Sequence, residues 1–441
     1  MKSIPLTMVA TACLSILAAT PQFVPDAQLR DVAMVQNSDT RVVTISYEID
    51  APAVVTLDLQ TNGVSLSQTV LDTVVGDTNC RVESGRHSFD WRPYETLSAM
   101  KQMEGVEAVV TAWAVDCPPD WMVVDLRETG ADRLRYYASS NAIPGGIGAL
   151  TYKTDKMILR KCHARNVEWM MGSPVGEVGR TTDASATTKY EYRHRVTLTN
   201  DYYLAIYETT QAQCLNAYGD RKSAYTGDDA DAHPVDSVSC KDLRGGVQSK
   251  GARWPDQGHG VTDSSVIGKF RARTGVEFDL PTSAQWEFAC RAGSTHALYN
   301  GKDLTSETGV NDTLEPIAWY VENSGSAAHA VGGKQPNAWG YHDMLGNVWE
   351  YVLDAAWADA TVYTEHAPAI EPVGPTLAEA ANYSSANQSC YNRHFRGGSC
   401  KSKAARCRAA YTSYADIWWW QDSYAGERGF RLAAPALAIA E

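Results

Sequence analysis

NAWGYHDMLGNVWEY spans residues 337–351. Its Gly, Asn and aromatic residues are the composition of irregular backbone, held by turns and hydrogen bonds rather than by long helices or strands. Most of residues 151–436 reads the same way. One amphipathic helix stands out in it, TSAQWEFACRAG. Thr282 is its N-cap, Pro281 precedes the start, and Trp286, Ala289 and Cys290 share an inward face. Neither an internal repeat nor a low-complexity tract is present.

Residues 28–126 read differently. In RVVTISYEID, Val43, Ile45, Tyr47 and Ile49 alternate onto one face, and in AVVTLDLQTNG so do Val55, Leu57 and Leu59, with a turn at Asn62-Gly63. HSFDWRP and VEAVVTAWAVD follow, offering Trp91 and Trp113 as core aromatics. Short strands at this spacing predict a small Ig-like β-sandwich. Residues 127–150 turn to charge, then Ser, Pro and Gly, the mark of a linker or an extended entry strand.

The chain has 441 residues, 44% of them hydrophobic, enough for one small and one larger domain with a sizeable core. A net charge of -13 disfavours a general nucleic-acid binder, which needs clustered Lys and Arg against phosphate. Lys2 and the apolar run from Ile4 to Ala19 suit an export signal over residues 1–20, with no membrane span after it. Cys13 gives lipidation as an alternative reading. Export places the protein in the periplasm, outside the cell or on its surface, and permits disulfides. Cys80 and Cys117 are the only cysteines of the first domain, either bridged or two separate thiols.

Seven stretches of the larger domain, taken in order, resemble the sulfatase-modifying-factor family, whose domain is also called the formylglycine-generating-enzyme domain. They are WMMGSPVGEVGR (169–180), HRVTLTNDYYLAIYETTQAQC (194–214), HPVDSVS (233–239), FDLPTSAQWEFACRAGS (278–294), NAWGYHDMLGNVWEY (337–351), FRGGS (395–399) and GFRLA (429–433). The resemblance implies an α+β, C-type-lectin-like fold with much irregular structure, preceded here by the small all-β sandwich. It does not by itself imply the activity. The best-known members oxidise a cysteine of sulfatases, within a Cys-x-Pro-x-Arg motif, using copper and oxygen. Others use iron, and still others are binding or structural modules.

The copper chemistry implied by the resemblance needs two thiolates in the pattern Gly-Gly-Ser-x-x-Cys-x4-Cys, since soft sulfur selects Cu(I). In RGGSCKSKAARC the first ligand position after Ser399 holds Ser402, while Cys407 stands where the second could be. Cys400 is one residue after Ser399, and a strand would point it and Cys407 to opposite faces. Cys240 is a candidate disulfide partner for Cys400. The iron chemistry is implied with a His-x3-His pair, and the ten histidines here contain none.

By the same resemblance, YHDMLGNVWEY would wrap a structural Ca²⁺ through Asp343, the carbonyls of Gly346 and Val348, and Glu350, hard oxygens in a tight loop. A second calcium site at Asn323 is a poor match. Beyond Cys407 lies YTSYADIWWWQDSYAGER. Its Tyr414, Trp418, Trp419, Trp420 and Tyr424, with Cys400, Lys401 and Lys403, read as a recognition surface for a glycan or protein ligand. The expectation is an exported lectin-like binding module lacking the two-cysteine copper site. The alternative is a formylglycine-generating oxidase using Cys407 and Ser399.

Overall fold

The computed structural model describes residues 27–97, 103–130, 133–180, 191–245, 260–355, 369–370, 372, 392–416 and 426–437. The leader read at 1–20 and the tryptophans of the aromatic run, Trp418–Trp420, with Tyr424, lie outside these residues. The chain divides into two compact units. One comprises residues up to Val124 with Glu128–Ala149 and the last six residues; the other comprises Asp125–Arg127 and Leu150–Pro435.

The first unit is built from two sheets. Strands Leu29–Gln36, Val43–Ile49, Gly85–Trp91 and Val74–Gly76 form one in that order. Ala53–Thr61 is the centre of the other, flanked by Cys80–Val82 and by the full length of Val106–Ala114. Val43, Ile45, Tyr47 and Ile49 are all buried while residues between them are not, so the period-two pattern marks the inner face. They join Val55, Leu57, Leu59, Phe89 and Trp91 in a single apolar cluster. Asn62 and Gly63 both take positive φ, the geometry a two-residue hairpin loop demands, and Thr61 pairs with Val64 across it. Trp113 is a correction: it is half-buried, with its indole N–H donating to Thr56 Oγ1 at 2.9 Å, because it lies on the outer face of its strand. The stretch read as a linker carries strand Leu134–Tyr137, antiparallel to Trp121–Asp125.

The second unit is α+β. Lys156–Cys162, Tyr202–Ala205 and Ala433–Pro435 pair antiparallel, bringing the two ends of the unit's sequence together. A second sheet is centred on Trp349–Ala355, with Asn392–Arg396 antiparallel and Arg428–Gly429 parallel to it. The helix Ser283–Arg291 starts where the sequence places it. Thr282 accepts from the Gln285 N–H and Gln285 reaches back to the Thr282 N–H, a closed capping box. All nine residues of this helix are buried, so it is central rather than one-faced. Its polar residues are therefore paired: Glu287 meets Arg291 at 2.7 Å and Arg396 at 3.0 Å. Burial works against that carboxylate, yet the two guanidiniums hold it below the usual carboxylate range.

Between Arg291 and Trp349 the described chain has neither helix nor strand. Side-chain amides do the work of a ladder there. Asn337 donates to the carbonyls of Ala289 (2.7 Å) and Cys290 (3.0 Å) and accepts from the N–H groups of Trp339 and Tyr341. Buried irregular backbone must find partners somewhere, and an amide with two donors and an acceptor oxygen supplies them. That is the physical sense of the Asn- and Gly-rich composition.

Candidate functional site

The GNVWE segment turns on left-handed residues. Asp343, Gly346 and Asn347 have φ of 53°, 80° and 58°. A Cβ on Gly346 would stand 2.2 Å from the Trp319 carbonyl oxygen, so only glycine fits there. Non-glycine residues held at positive φ mark local strain, which persists where the surroundings over-determine it. This turn places Asp343 and Glu350 in the same buried region as Glu208. Glu350 is clamped: Arg431 donates Nε to its Oε2 and a terminal nitrogen to its Oε1, both at 2.7 Å, and Trp286 Nε1 donates to Oε2 at 2.7 Å. Asp343 accepts from the Gly332 N–H through Oδ2 at 2.6 Å, while its Oδ1 is buried without a hydrogen-bond partner. Glu208 accepts from Asn347 Nδ2 at 2.6 Å and the Val348 N–H at 3.2 Å.

Glu208 was not singled out by sequence reasoning. Its signal was there: an acid at the end of the apolar run YYLAIYE, where an unpaired charge would not be buried. Burial pushes its carboxyl well above the usual range, and the charges of Asp343 and Glu350 push it further. Burial also raises Asp343, against the pull of the Gly332 N–H and of Arg431, Lys153 and Lys334. Asn323 closes its own turn, accepting from the Tyr320 N–H and donating to the Ala318 carbonyl, both at 2.9 Å.

The Gly-Gly-Ser turn lies beside this region. The Cys400 N–H donates to the Asn347 carbonyl at 2.7 Å, and Ser324 Oγ donates to the Cys400 carbonyl at 2.5 Å. The Cys400 side chain is fully buried against Ala328 and Val348. This corrects its reading as a surface residue: both backbone groups are tied inward, and the sulfur fills an apolar gap. Cys240 and Cys400 are separate buried thiols, so the pairing considered between them is not formed. Lys401 and Lys403 are exposed. Of Tyr414 only the backbone position is described, opposite His394 in strand Thr412–Asp416.

Cys407 is fully buried, and a Cβ on Gly398 would come within 2.7 Å of its sulfur. The parity argument for Cys400 and Cys407 does not apply, because a turn and the short 3-10 helix Ala404–Arg406 separate them rather than a strand. Burial pushes both thiols up to about 12. Ser402 is committed to the turn. Its Oγ accepts from the Ser399 N–H at 3.0 Å and lies 3.2 Å from Ser399 Oγ, which donates to Glu427 Oε2 at 2.8 Å. The hydroxyl at this position is engaged in the turn, and the two sulfurs nearby, Cys400 and Cys407, are both buried thiols.

Arg408 is fully buried between Glu191, at 2.9 Å, and Glu177, at 2.5 Å, and it donates to the Gly179 carbonyl. It ties Glu177, Gly179 and Glu191 to the stretch after Cys407.

The irregular α+β unit, its clamped glutamate and its Gly-Gly-Ser turn define a class of domain, and the sequence comparison agrees. Residues 159–436 match the sulfatase-modifying factor enzyme 1-like domain, so the chain belongs to the sulfatase-modifying-factor family. The formylglycine-generating enzyme of Thermomonospora curvata is 29% identical over 165 residues, covering 36% of this chain and 50% of that one. The chaperone protein LppX of Paenibacillus barcinonensis is 25% identical over 191 residues, covering 38% and 67%. The chain thus spans about half the length of the first of these relatives. Among solved structures, Treponema denticola variable protein 1 aligns with a TM-score of 0.43 at 22% identity, over 64% of this chain and 95% of that one. PvdO from Pseudomonas aeruginosa aligns at 0.44 and 19%, over 63% and 94%. Among the described residues no helix is long and apolar enough to cross a membrane.

Proposed function

We propose that this protein is an exported ligand-binding member of its family, not a copper-dependent oxidase. The observation that carries the reading is Ser402, whose hydroxyl closes the Gly-Gly-Ser turn at the position where the oxidase pattern calls for a thiolate. The ligand, a glycan or protein, would meet the exposed Lys401 and Lys403 and the aromatic run that follows. The test loads the protein with Cu(I) and offers it a Cys-x-Pro-x-Arg peptide. The expected result is neither stoichiometric copper nor peptide oxidation; tight copper with turnover would sink the proposal. In the same protein, glycan- or protein-array binding is expected to vanish when Trp418–Trp420 are replaced by alanine.

The second part of the proposal is a structural Ca²⁺ held by Asp343, the carbonyls of Gly346 and Val348, and Glu350. The residues fit it in one telling respect. Asp343 Oδ1 is a buried acceptor without a donor, beside the carboxylates of Glu208 and Glu350 and within the fields of Arg431, Lys153 and Lys334. A divalent cation would give Asp343 Oδ1 a partner, and Glu350 Oε1 keeps a lone pair beyond its bond to Arg431. Millimolar Ca²⁺ should raise the melting temperature and EDTA should lower it, by about 2–3 kcal/mol equivalent at a hundredfold excess over the dissociation constant. An Asp343→Ala protein should lose the response. Identical melts of the parent protein in Ca²⁺ and in EDTA would rule calcium out.

A further inference from the structure

In the first unit the chain leaves one sheet and comes back to it. Strand Val74–Gly76 belongs to the first sheet, Cys80–Val82 to the second, and Gly85–Trp91 to the first again. Asp77 stands at the departure and Glu83 at the return. His87 reaches both. Its Nδ1 lies 3.0 Å from Asp77 Oδ2, and its Nε2 lies 2.8 Å from the Glu83 carbonyl oxygen. The ring stacks on Tyr47, its cross-strand neighbour, with 5.5 Å between centres. The Tyr47 hydroxyl donates in turn to the Asp77 carbonyl at 2.9 Å. Between the two anchor points the Asn79 N–H donates to the Val55 carbonyl, and the Asn79 carbonyl accepts from the Tyr136 N–H. The crossing therefore also bonds to strands Ala53–Thr61 and Leu134–Tyr137.

Both oxygens that face the ring are acceptors only, one a carbonyl and the other an ionised carboxylate. A neutral imidazole has one N–H and one bare nitrogen, so it serves one oxygen and turns a lone pair on the other. The imidazolium donates to both. The other ionisable groups around the ring are engaged elsewhere. Arg81 meets the Glu83 carboxylate at 3.1 Å, and Arg86 turns to Glu48 at 3.1 Å and to Asp31 at 3.8 Å. Burial, with Cys80 and Asp77 adding to it, pushes the Tyr47 phenol up, so it stays neutral against the ring. The His87 side chain is only 17% exposed, whereas that of Asp77 is 56% exposed and has water to turn to when released. We propose that His87 is a proton-operated clasp: charged, it holds both ends of the crossing; neutral, it holds one. The folded state then binds a proton that the open crossing does not need. The clasp is complete in acid and is lost as pH rises through the histidine range, about 5 to 8. It lies in the first unit and does not depend on the readings of the Gly-Gly-Ser turn or of Asp343.

Nuclear magnetic resonance of the full chain, with its histidine rings labelled, reads the two nitrogens directly. At about pH 5.5 both should carry hydrogens slowed in their exchange with water, and at about pH 8.5 only one should. Backbone amide exchange over Asn79–Val82, measured at the same pH values in the parent and in Asp77→Asn, reads the consequence. An Asn amide can donate to a bare Nδ1, so this variant keeps both contacts with a neutral ring and should show no step. Relative to it, exchange in the parent should quicken by about two- to fivefold across the range, the size of a part-exposed ion pair. A single slowed ring hydrogen at pH 5.5, or the same pH course in the parent and in Asp77→Asn, would each overturn the proposal. The ring-nitrogen reading needs only the parent protein, so it decides the matter even where the variant folds poorly.

Discussion

Arg431→Met is expected to destabilise the second unit by about 3–5 kcal/mol, the cost of removing one partner from a buried ion pair. In urea the unfolding midpoint should fall well below that of the parent protein. The side chain is fully buried and makes five hydrogen bonds of 2.7–3.3 Å: to Glu350 through two of its nitrogens, and to the carbonyls of Ala205, Ile206 and His342. It thus joins the strand Tyr202–Ala205, the GNVWE segment and its own chain end. Without the guanidinium, Glu350 and the carbonyls remain buried with fewer donors, which costs more than the loss of a surface pair. The double variant Glu350→Gln/Arg431→Met should be less destabilised than the sum of the two single changes, because each leaves the same pair broken. Additive losses would show that the two side chains are not one unit.

That central role was only partly legible in the sequence. GFRLA was quoted as a family stretch, but nothing in five residues says that its arginine reaches a glutamate 81 positions away. Patterns confined to one element carried over well. The alternation in Val43–Ile49 gave an inner face, and Thr282 capped its helix. Patterns that require two distant segments did not. Glu208 and Asp343 come from separate stretches, and their burial rests on donors from elsewhere in the chain, Asn347 and Val348 for the one and Gly332 for the other. Cys400 shows the same limit. Beside two lysines and a Gly-Gly-Ser turn it reads as surface, yet the carbonyl of Asn347 and the hydroxyl of Ser324 draw it inside. The Ser402 substitution was visible as a missing sulfur. Its positive role, closing the turn onto Ser399, required the geometry.

Arg408→Met should be as damaging as the Arg431 change at neutral pH, about 3–5 kcal/mol, and should be partly relieved by acid. Arg408 is the guanidinium between Glu177 and Glu191, and its removal leaves two carboxylates facing each other in the interior. Burial already raises the Glu177 carboxyl above its ordinary value, with Arg408 opposing that rise. Take away Arg408 and the rise grows. A carboxyl whose folded pKa lies above its unfolded one holds more protons in the folded state, so stability falls as pH rises through the folded value and is regained below the unfolded one. The difference in unfolding free energy between the variant and its parent should therefore be largest near pH 7 and shrink as pH falls toward about 4.5. Urea titrations at pH 7, 6, 5 and 4.5 measure it directly. A difference that stayed constant, or widened in acid, would mean that Glu177 is not the group left stranded. The position of the network gives the measurement its interest. Arg408 is next to Cys407 and binds the Gly179 carbonyl, so its loss should loosen the floor on which the Gly-Gly-Ser turn rests. If array binding weakened in parallel with stability at pH 7 and recovered with it at pH 5, the recognition surface would be coupled to this buried arginine.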